Sequence, residues 1–386
     1  MAAAPGRLRR LCAELLEREA ARRPTAAQLS ARFEVTPAPS VSGSHRRGEL
    51  FIGRDEELSR LHAAYERCLA AAAPVVVHVR GRSGLGKSAL LQQFRRRLER
   101  RTGDCLLLHG RCREQEAVPY KGVDAVVDAL SAHLRRLSEA ERASLRPRSV
   151  EALITAFPVL GELWTSAGGQ ELGPNELRNA SWIALRELIR HLSEERALVV
   201  EIDDFQWSDV ESVQLLHELL RPPDPPRILL ILALRPGFAE ADSLRTLEDS
   251  ELLGAGAERV EIRPLSQTDA VALARALIDA GTTKALPESV ALRSEGNPFY
   301  ISQLVHDDGP APSSDADLDA IVARRLAELA PPARALLELV AVAGGPVSVE
   351  LAREQCPGAG ADEIERLREL GMIVGGRSSG SGEQGL

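Results

Sequence analysis

No stretch of this sequence is long and apolar enough to cross a membrane. The longest continuous apolar run lies around Ile228–Leu234, far short of the ~20 residues that a spanning helix needs. The N-terminus has no apolar signal-peptide core, so the expected setting is cytoplasmic, with no membrane partner. Cysteine is sparse and scattered. Cys12, Cys68, Cys105, Cys112 and Cys356 form an odd set without a C-x-x-C pair, which speaks for buried or free thiols over a disulfide frame or a metal site. Lysine is nearly missing: of 48 basic residues only Lys87, Lys121 and Lys284 are not arginine. No internal repeat is visible, which excludes a solenoid or propeller.

What is present is an ordinary globular composition, 44% hydrophobic and 27% charged over 386 residues. At about 100–200 residues per domain, that is chain enough for two or three domains. The net charge of -8 does not advertise nucleic-acid binding. Charge is uneven, since residues 1–48 hold nine Arg against four Glu, or +5, leaving -13 for the rest. Arg95–Arg97, Arg100 and Arg101 make a basic run, but no aromatics interleave for base stacking, and a solvated helix face is the better reading. His78 and His109 lie within apolar runs and read as core residues.

Residues 8–33 read as two short helices. Leu8, Leu11, Leu15 and Leu16 mark a stripe, Pro24 breaks it, and Thr25 with Gln28 caps the next turn. Residues 34–48 are a Pro/Ser/Gly-rich linker. Beyond it, Leu58, Leu61, Tyr65 and Leu69 mark one face of a helix. Strand-like runs follow at Val75–Val79, Cys105–His109, Ala197–Ile202, Ile228–Leu234 and Arg259–Ile262, with helical patterns over 87–101, 122–136, 175–193 and 210–220. Strands that are continuously apolar and alternate with helices predict an α/β fold, a five-stranded parallel sheet covered on both faces. That unit spans 49–265. Helices over 266–306, a linker at 307–317 and three or four further helices with a short strand over 318–376 complete the chain. The Gly/Ser-rich tail 377–386 has nothing to pack and is expected to be flexible, cut short where a hairpin would turn back.

Residues 81–88 read GRSGLGKS, a complete G-x-x-x-x-G-K-[ST] between a strand-like PVVVHVR and a helix-like SALLQQF. Average residue frequencies give an accidental match in roughly one chain in a hundred of this length. Gly81, Gly84 and Gly86 let the backbone curl so that its N–H groups, with those of Arg82, Ser83 and Leu85, point at phosphate oxygens. The helix N-terminus adds partial positive charge, Lys87 neutralises the β/γ-phosphates, and the Ser88 hydroxyl is a hard oxygen for Mg²⁺.

In ALVVEIDDFQWSD, Asp203 and Asp204 end a buried strand, where ligands bind in open parallel sheets. Alternation sends the two carboxylates apart, so Asp203 is assigned to the metal and Asp204 to activating water. A helix N-cap or turn acid fits the pair alone about as well, but fits poorly with GRSGLGKS upstream in the same sheet. Arg235 ends the next strand, where it either reaches a γ-phosphate or merely caps the strand. Trp207 reads equally as a neighbour of the nucleotide or a buried indole.

LFIGRDEEL, GRSGLGKS, EIDDFQWSD, LALRP and SEGNPFYISQL, spread over about residues 49–375, together resemble the signal-transduction P-loop ATPases with numerous domains, the STAND class of the AAA-related group. The resemblance implies that Phe51, Ile52 and Gly53 on one side and Pro298 on the other sandwich the adenine. It implies a helical lid carrying GNPFY and a winged-helix module over 318–376. It also implies an ATP/ADP switch, closed with ADP and open with ATP for signalling, self-assembly or protein partners. LCAELLEREAARRPTAAQL resembles the closing segment of a bacterial serine/threonine kinase C-lobe, where an arginine like Arg23 braces the lobe; a plain helical hairpin is the other reading. No kinase glycine loop, H-R-D or D-F-G occurs, so no kinase activity is expected of this chain.

The expected function is a slow, Mg-dependent ATP hydrolase used as a switch in bacterial signal transduction, a fragment of a kinase-linked protein. The alternative is a DNA-binding or replication-initiator-like ATPase, or transcriptional regulator, using the winged helix; it resembles the origin-recognition-type ATPases. Against it, residues 347–356 hold one Arg and two Glu, a poor match to a phosphate backbone.

Overall fold

Five strands form where the apolar runs stand: β1 (Val75–Arg80), β2 (Cys105–Arg111), β3 (Ala197–Asp203), β4 (Ile228–Leu234) and β5 (Glu258–Glu261). In this computed structural model they pair in parallel in the order β2-β3-β4-β1-β5. The structure describes residues 50–386 apart from 72, 102–104, 115–118, 165–171, 238–240, 280–285, 306–322, 324–325, 328, 344–346, 357, 370–371, 374–375, 378–383 and 386. The unit Met1–Arg46 lies outside the described residues, and with it the helices expected over 8–33, their kinase-like segment and Cys12. The linkers expected at 34–48 and 307–317 lie outside them as well.

Helices α1 (Asp55–Ala71), α2 (Lys87–Arg101), α3 (Asp124–Leu134), α4 (Glu139–Ser144), α5 (Val150–Ala156), α6 (Pro174–Glu195), α7 (Val210–Leu220) and α8 (Asp242–Asp249) surround the sheet. Successive strand residues point to opposite faces. Val77, Val79, Val199, Leu229 and Ile231 meet Leu58, Leu61, Leu90 and Phe94 of α1 and α2. The residues between them, Val76, Val200, Leu230 and Leu232, meet Val127, Leu153, Leu188 and Leu216 from the other side. Because both faces are covered, every residue of β3 and β4 is buried, and each large apolar side chain adds about 1.5–3 kcal/mol over leaving it in water. That is why these strands read as unbroken apolar runs.

At the sheet edge the coverage thins. His78, in β1, is fully buried as expected. His109 is not: its side chain is 42% exposed, because β2 is an edge strand whose burial alternates along its length. The four described cysteines carry free thiols, and burial pushes those of Cys68 and Cys105 up to about 11. No helix among the described residues is long and apolar enough to cross a membrane.

Beyond the sheet, α9 (Gln267–Asp279), α10 (Pro287–Arg293) and α11 (Pro298–Leu304) share a core of Leu265, Leu273, Val290 and Ile301, into which Leu50 and Ile52 also pack. A separate cluster of Leu336, Ala352, Ile364 and Leu367 joins α12 (Pro331–Ala343), α13 (Val349–Gln355) and α14 (Ala361–Glu369). The tail departs from expectation. Gly376–Arg377 pairs antiparallel with Gln384–Gly385, because a backbone ladder needs only N–H and C=O groups and a Gly/Ser-rich segment supplies both.

Candidate nucleotide-binding site

The β-branched run of β1 ends at Arg80, and the chain then turns through glycines before α2 starts at Lys87. The Gly81 N–H donates to the Leu234 carbonyl at 3.2 Å, carrying the sheet ladder one residue into the loop. Gly84 and Gly86 have φ of +76° and +92°, a region that side-chain-bearing residues avoid. A Cβ on Gly84 would lie 2.8 Å from the Phe299 Cβ, whereas the space over Gly86 is open to 4 Å. Lys87 is buried, and its Nζ donates to the carbonyls of Gly81 at 2.7 Å and Arg82 at 3.2 Å. Burial lowers its pKa, and the Arg235 charge adds to that, against Asp203 and Asp204.

Asp203 closes β3 and is buried. Its Oδ2 accepts from the Ser88 hydroxyl at 2.6 Å, and its Oδ1 accepts from the Asp204 N–H at 2.9 Å. The backbone of Asp204 is left-handed at φ 53°, which turns its carboxylate away from that of Asp203. Asp204 Oδ2 accepts from Arg111 Nε at 3.0 Å and Nη2 at 2.8 Å. Its Oδ1 accepts from Arg235 at 3.1 and 3.0 Å and from Gln206 Nε2 at 3.0 Å. Burial alone would raise the Asp204 carboxyl; the hydrogen bonds from Gln206 and Arg111 and the charge of Arg235 outweigh it and hold the group below the usual carboxylate range.

A second contact repeats the Ser88–Asp203 one deeper in the fold. Arg95 is two helical turns beyond Ser88, and Glu201 is two residues before Asp203 on the same face of β3. Arg95 Nη1 pairs with the fully buried Glu201. Burial pushes Glu201 up to about 7, with the Arg95 charge opposing. Helix α2 is therefore fixed to β3 at two levels, which sets the height of Ser88 over Asp203.

A cavity of about 310 Å³ opens over the loop, lined by Ser83, Gly84, Gly86, Lys87, Ser88, Arg111, Asp204, Arg235, Pro298 and Phe299. The structure thus brings the expected Ser83, Gly84, Gly86, Lys87, Ser88, Asp204, Arg235 and Pro298 to one place. Gly81, Arg82 and Asp203 join through the bonds given above. Leu85 turns its side chain into the core. Phe51, Ile52 and Gly53 do not line the cavity: Phe51 packs with the α1–α2 cluster, Ile52 with α9–α11, and Gly53 against Asp269. Trp207 packs on the core. The sequence reading missed Arg111, Gln206, Asn297 and Phe299. The Phe299 N–H donates to the Gly84 carbonyl at 3.2 Å, tying α11 directly to the loop.

The residues suit a nucleotide on two counts. The cavity wall carries three cations, Lys87, Arg111 and Arg235, against one carboxylate, Asp204, with Asp203 behind Ser88, and the backbone at Gly86 is open to an approaching anion. Ser88 Oγ and Asp203 Oδ2, 2.6 Å apart, are the hard-oxygen donors that Mg²⁺ takes. Residues 50–231 match the AAA ATPase domain family. This part of the chain is similar to AAA ATPase domains. Such a domain binds nucleotide, usually with Mg²⁺.

Over 361 residues the chain is 26% identical to an uncharacterized protein of Rhizobium meliloti (strain 1021), covering 85% of this chain and 33% of that one. The chain therefore spans about a third of that relative's length. Among solved structures it is similar to the Aeropyrum pernix ORC2 protein in its ADPNP-ADP complexes, at 15% identity over 87% of this chain and 91% of that one, with a TM-score of 0.41. The Walker-type ATPase of Pyrococcus abyssi is 18% identical, with coverage of 86% and 93% and a TM-score of 0.42. Cdc6p of Pyrobaculum aerophilum is 13% identical, with coverage of 86% and 89% and a TM-score of 0.43. The likeness to an AAA ATPase domain rests on the match over residues 50–231, not on these structures.

Proposed function

We propose that this chain is a regulatory ATPase that acts as an ATP/ADP switch in a bacterial, kinase-linked signalling protein. The observation that carries the reading is the Ser88–Asp203 bond of 2.6 Å beside buried Lys87, which puts the metal-type oxygens and the phosphate-type cation at one point. With the Gly81 N–H kept in the sheet ladder, the backbone N–H groups of Arg82–Gly86 surround the phosphates, and Lys87 trades the carbonyls of Gly81 and Arg82 for β/γ-phosphate oxygens. Ser88 and Asp203 would hold Mg²⁺, and Pro298 lines the cavity where the base would lie. When bound, Mg²⁺ would neutralise charge on the phosphates.

Asp204 sets the rate. A carboxylate whose two oxygens are taken by Arg111, Arg235 and Gln206, and whose pKa is depressed, is a weak base toward water. Hydrolysis then waits for those partners to move, which gives slow turnover suited to a timer. The region 318–376 serves as the output module. On α13 the exposed Glu350 and Glu354 flank Arg353, a surface that favours protein partners or self-assembly over DNA.

The test is to release and identify nucleotide from purified protein, with Lys87→Ala in parallel. Stoichiometric ADP in wild type and none in the variant is the expected result. Removing a charged donor from phosphate costs about 1.5–3 kcal/mol, so titrated affinity should fall at least tenfold. Equal affinity in both proteins sinks the reading.

A further inference from the structure

Asp204 is buried, yet one of the two arginines that hold it is not. The Arg111 side chain is 62% exposed and that of Arg235 32%, while the carboxylate between them is 6% exposed. Arg111 is the last residue of β2, in register with Asp203 across the sheet, so its Cα sits at the same level as the metal-type carboxylate. Its guanidinium reaches past that position to Asp204 Oδ2 and forms part of the cavity wall. Arg235 is the more firmly placed of the two, because its own N–H donates to Gln206 Oε1 at 3.2 Å while Gln206 Nε2 bonds the same carboxylate.

Two guanidinium groups on one carboxylate leave one positive charge unbalanced. Lys87 faces the same cavity, and of the three cations only Arg111 is mostly in water. A guanidinium gives a flat fork of donors that suits phosphate oxygens as well as it suits a carboxylate. Moving it from Asp204 to a phosphate therefore exchanges one charge-assisted pair for another, with little desolvation to repay.

We propose that Arg111 is a nucleotide-binding residue that leaves Asp204 for the terminal phosphate of ATP, so that the cavity tells triphosphate from diphosphate through β2. This rests on the nucleotide-binding reading above and adds a second consequence. Release of Arg111 from Oδ2 frees one oxygen of Asp204 only when a third phosphate is present. The same movement that registers ATP thus prepares the carboxylate for water.

The experiment is equilibrium titration of the full chain with Mg-ADP and with a non-hydrolysable ATP analogue, for wild type, Arg111→Gln and Arg111→Lys. Arg111→Gln should weaken the analogue by about tenfold or more, the loss of a charged donor pair, and leave ADP within about twofold. Arg111→Lys keeps the charge without the fork and should fall between. Asp204→Asn, which removes the competitor for the guanidinium and tolerates left-handed backbone, should strengthen the analogue relative to ADP. Because Arg111 is mostly solvent-exposed, its variants are expected to fold, and thermal melting of the nucleotide-free proteins checks this. Equal weakening of both ligands by Arg111→Gln, or no change in either, overturns the inference while leaving the nucleotide-binding reading standing. A wild-type chain that binds neither ligand overturns both.

Discussion

The sheet and the C-terminal helices solve the same problem with very different amounts of material. In β3 and β4 every residue is buried, and helices cover both faces. In α12–α14 the core is a thin seam around Leu336 and Leu367, and the same helices leave Val342 87% and Leu351 44% exposed. The site sits at the tips of the thick part. Ser88, Asp203, Arg111 and Arg235 all leave elements anchored in the sheet, so their spacing is set by packing that few local changes disturb. The thin part has no such reserve, and its caps matter in proportion.

Three substitutions or conditions sharpen that contrast. The largest effect is expected from Leu232→Ala at the middle of β4, fully buried, which should cost about 2–5 kcal/mol in urea unfolding. Loss of less than about 1 kcal/mol would mean that the sheet is not the stable part. Next is acid. Burial, with the charge of Arg80, lowers His78 from 6.5 to about 4. The unfolded chain then takes up a proton below about pH 6.5 that the folded sheet refuses, so stability is full above that value and declines as pH falls toward 4. Between pH 7 and 5 the loss is about 2 kcal/mol, and His78→Phe should flatten that slope. An unchanged slope would place the acid-sensitive group elsewhere. The smallest effect is at the thin end: Ser348 accepts from the Leu351 N–H at 3.2 Å and caps α13. Ser348→Ala should cost about 1 kcal/mol, read as faster amide exchange in α12–α14 with β3 and β4 unchanged. Exchange quickening equally in the sheet would show that the two regions unfold as one.

The strands were legible because two-sided burial demands unbroken apolar runs, and the phosphate loop because its geometry demands glycine at Gly84 and Gly86. Arg111 was not. Read from the sequence, the strand-like run of β2 ends at His109, two residues early, and among so many arginines one more carries no signal. Its meaning comes from β2 lying beside β3, with Arg111 opposite Asp203, a long-range pairing that periodicity cannot reveal. His109 was misplaced for the same reason, since nothing in CLLLHGR marks an edge strand. Gln206 and Phe299 follow recognisable site residues in the chain, but their use depends on turns: the left-handed Asp204, and the close approach of α11 to Gly84.

Arg54 joins the phosphate loop, the start of α1 and the approach to α9 through one side chain. Its buried guanidinium donates at once to the Leu85 carbonyl in the phosphate loop, at 3.2 Å, and to the Arg263 carbonyl where the chain leaves the sheet for α9, at 2.5 Å. Glu57 at the start of α1 holds the same group at 2.9 Å. Leu50 and Ile52, just before it, already belong to the core of α9–α11. In mechanical terms Arg54 is a pin through three plates: the phosphate loop, the start of α1 and the chain that leads from the sheet to α9.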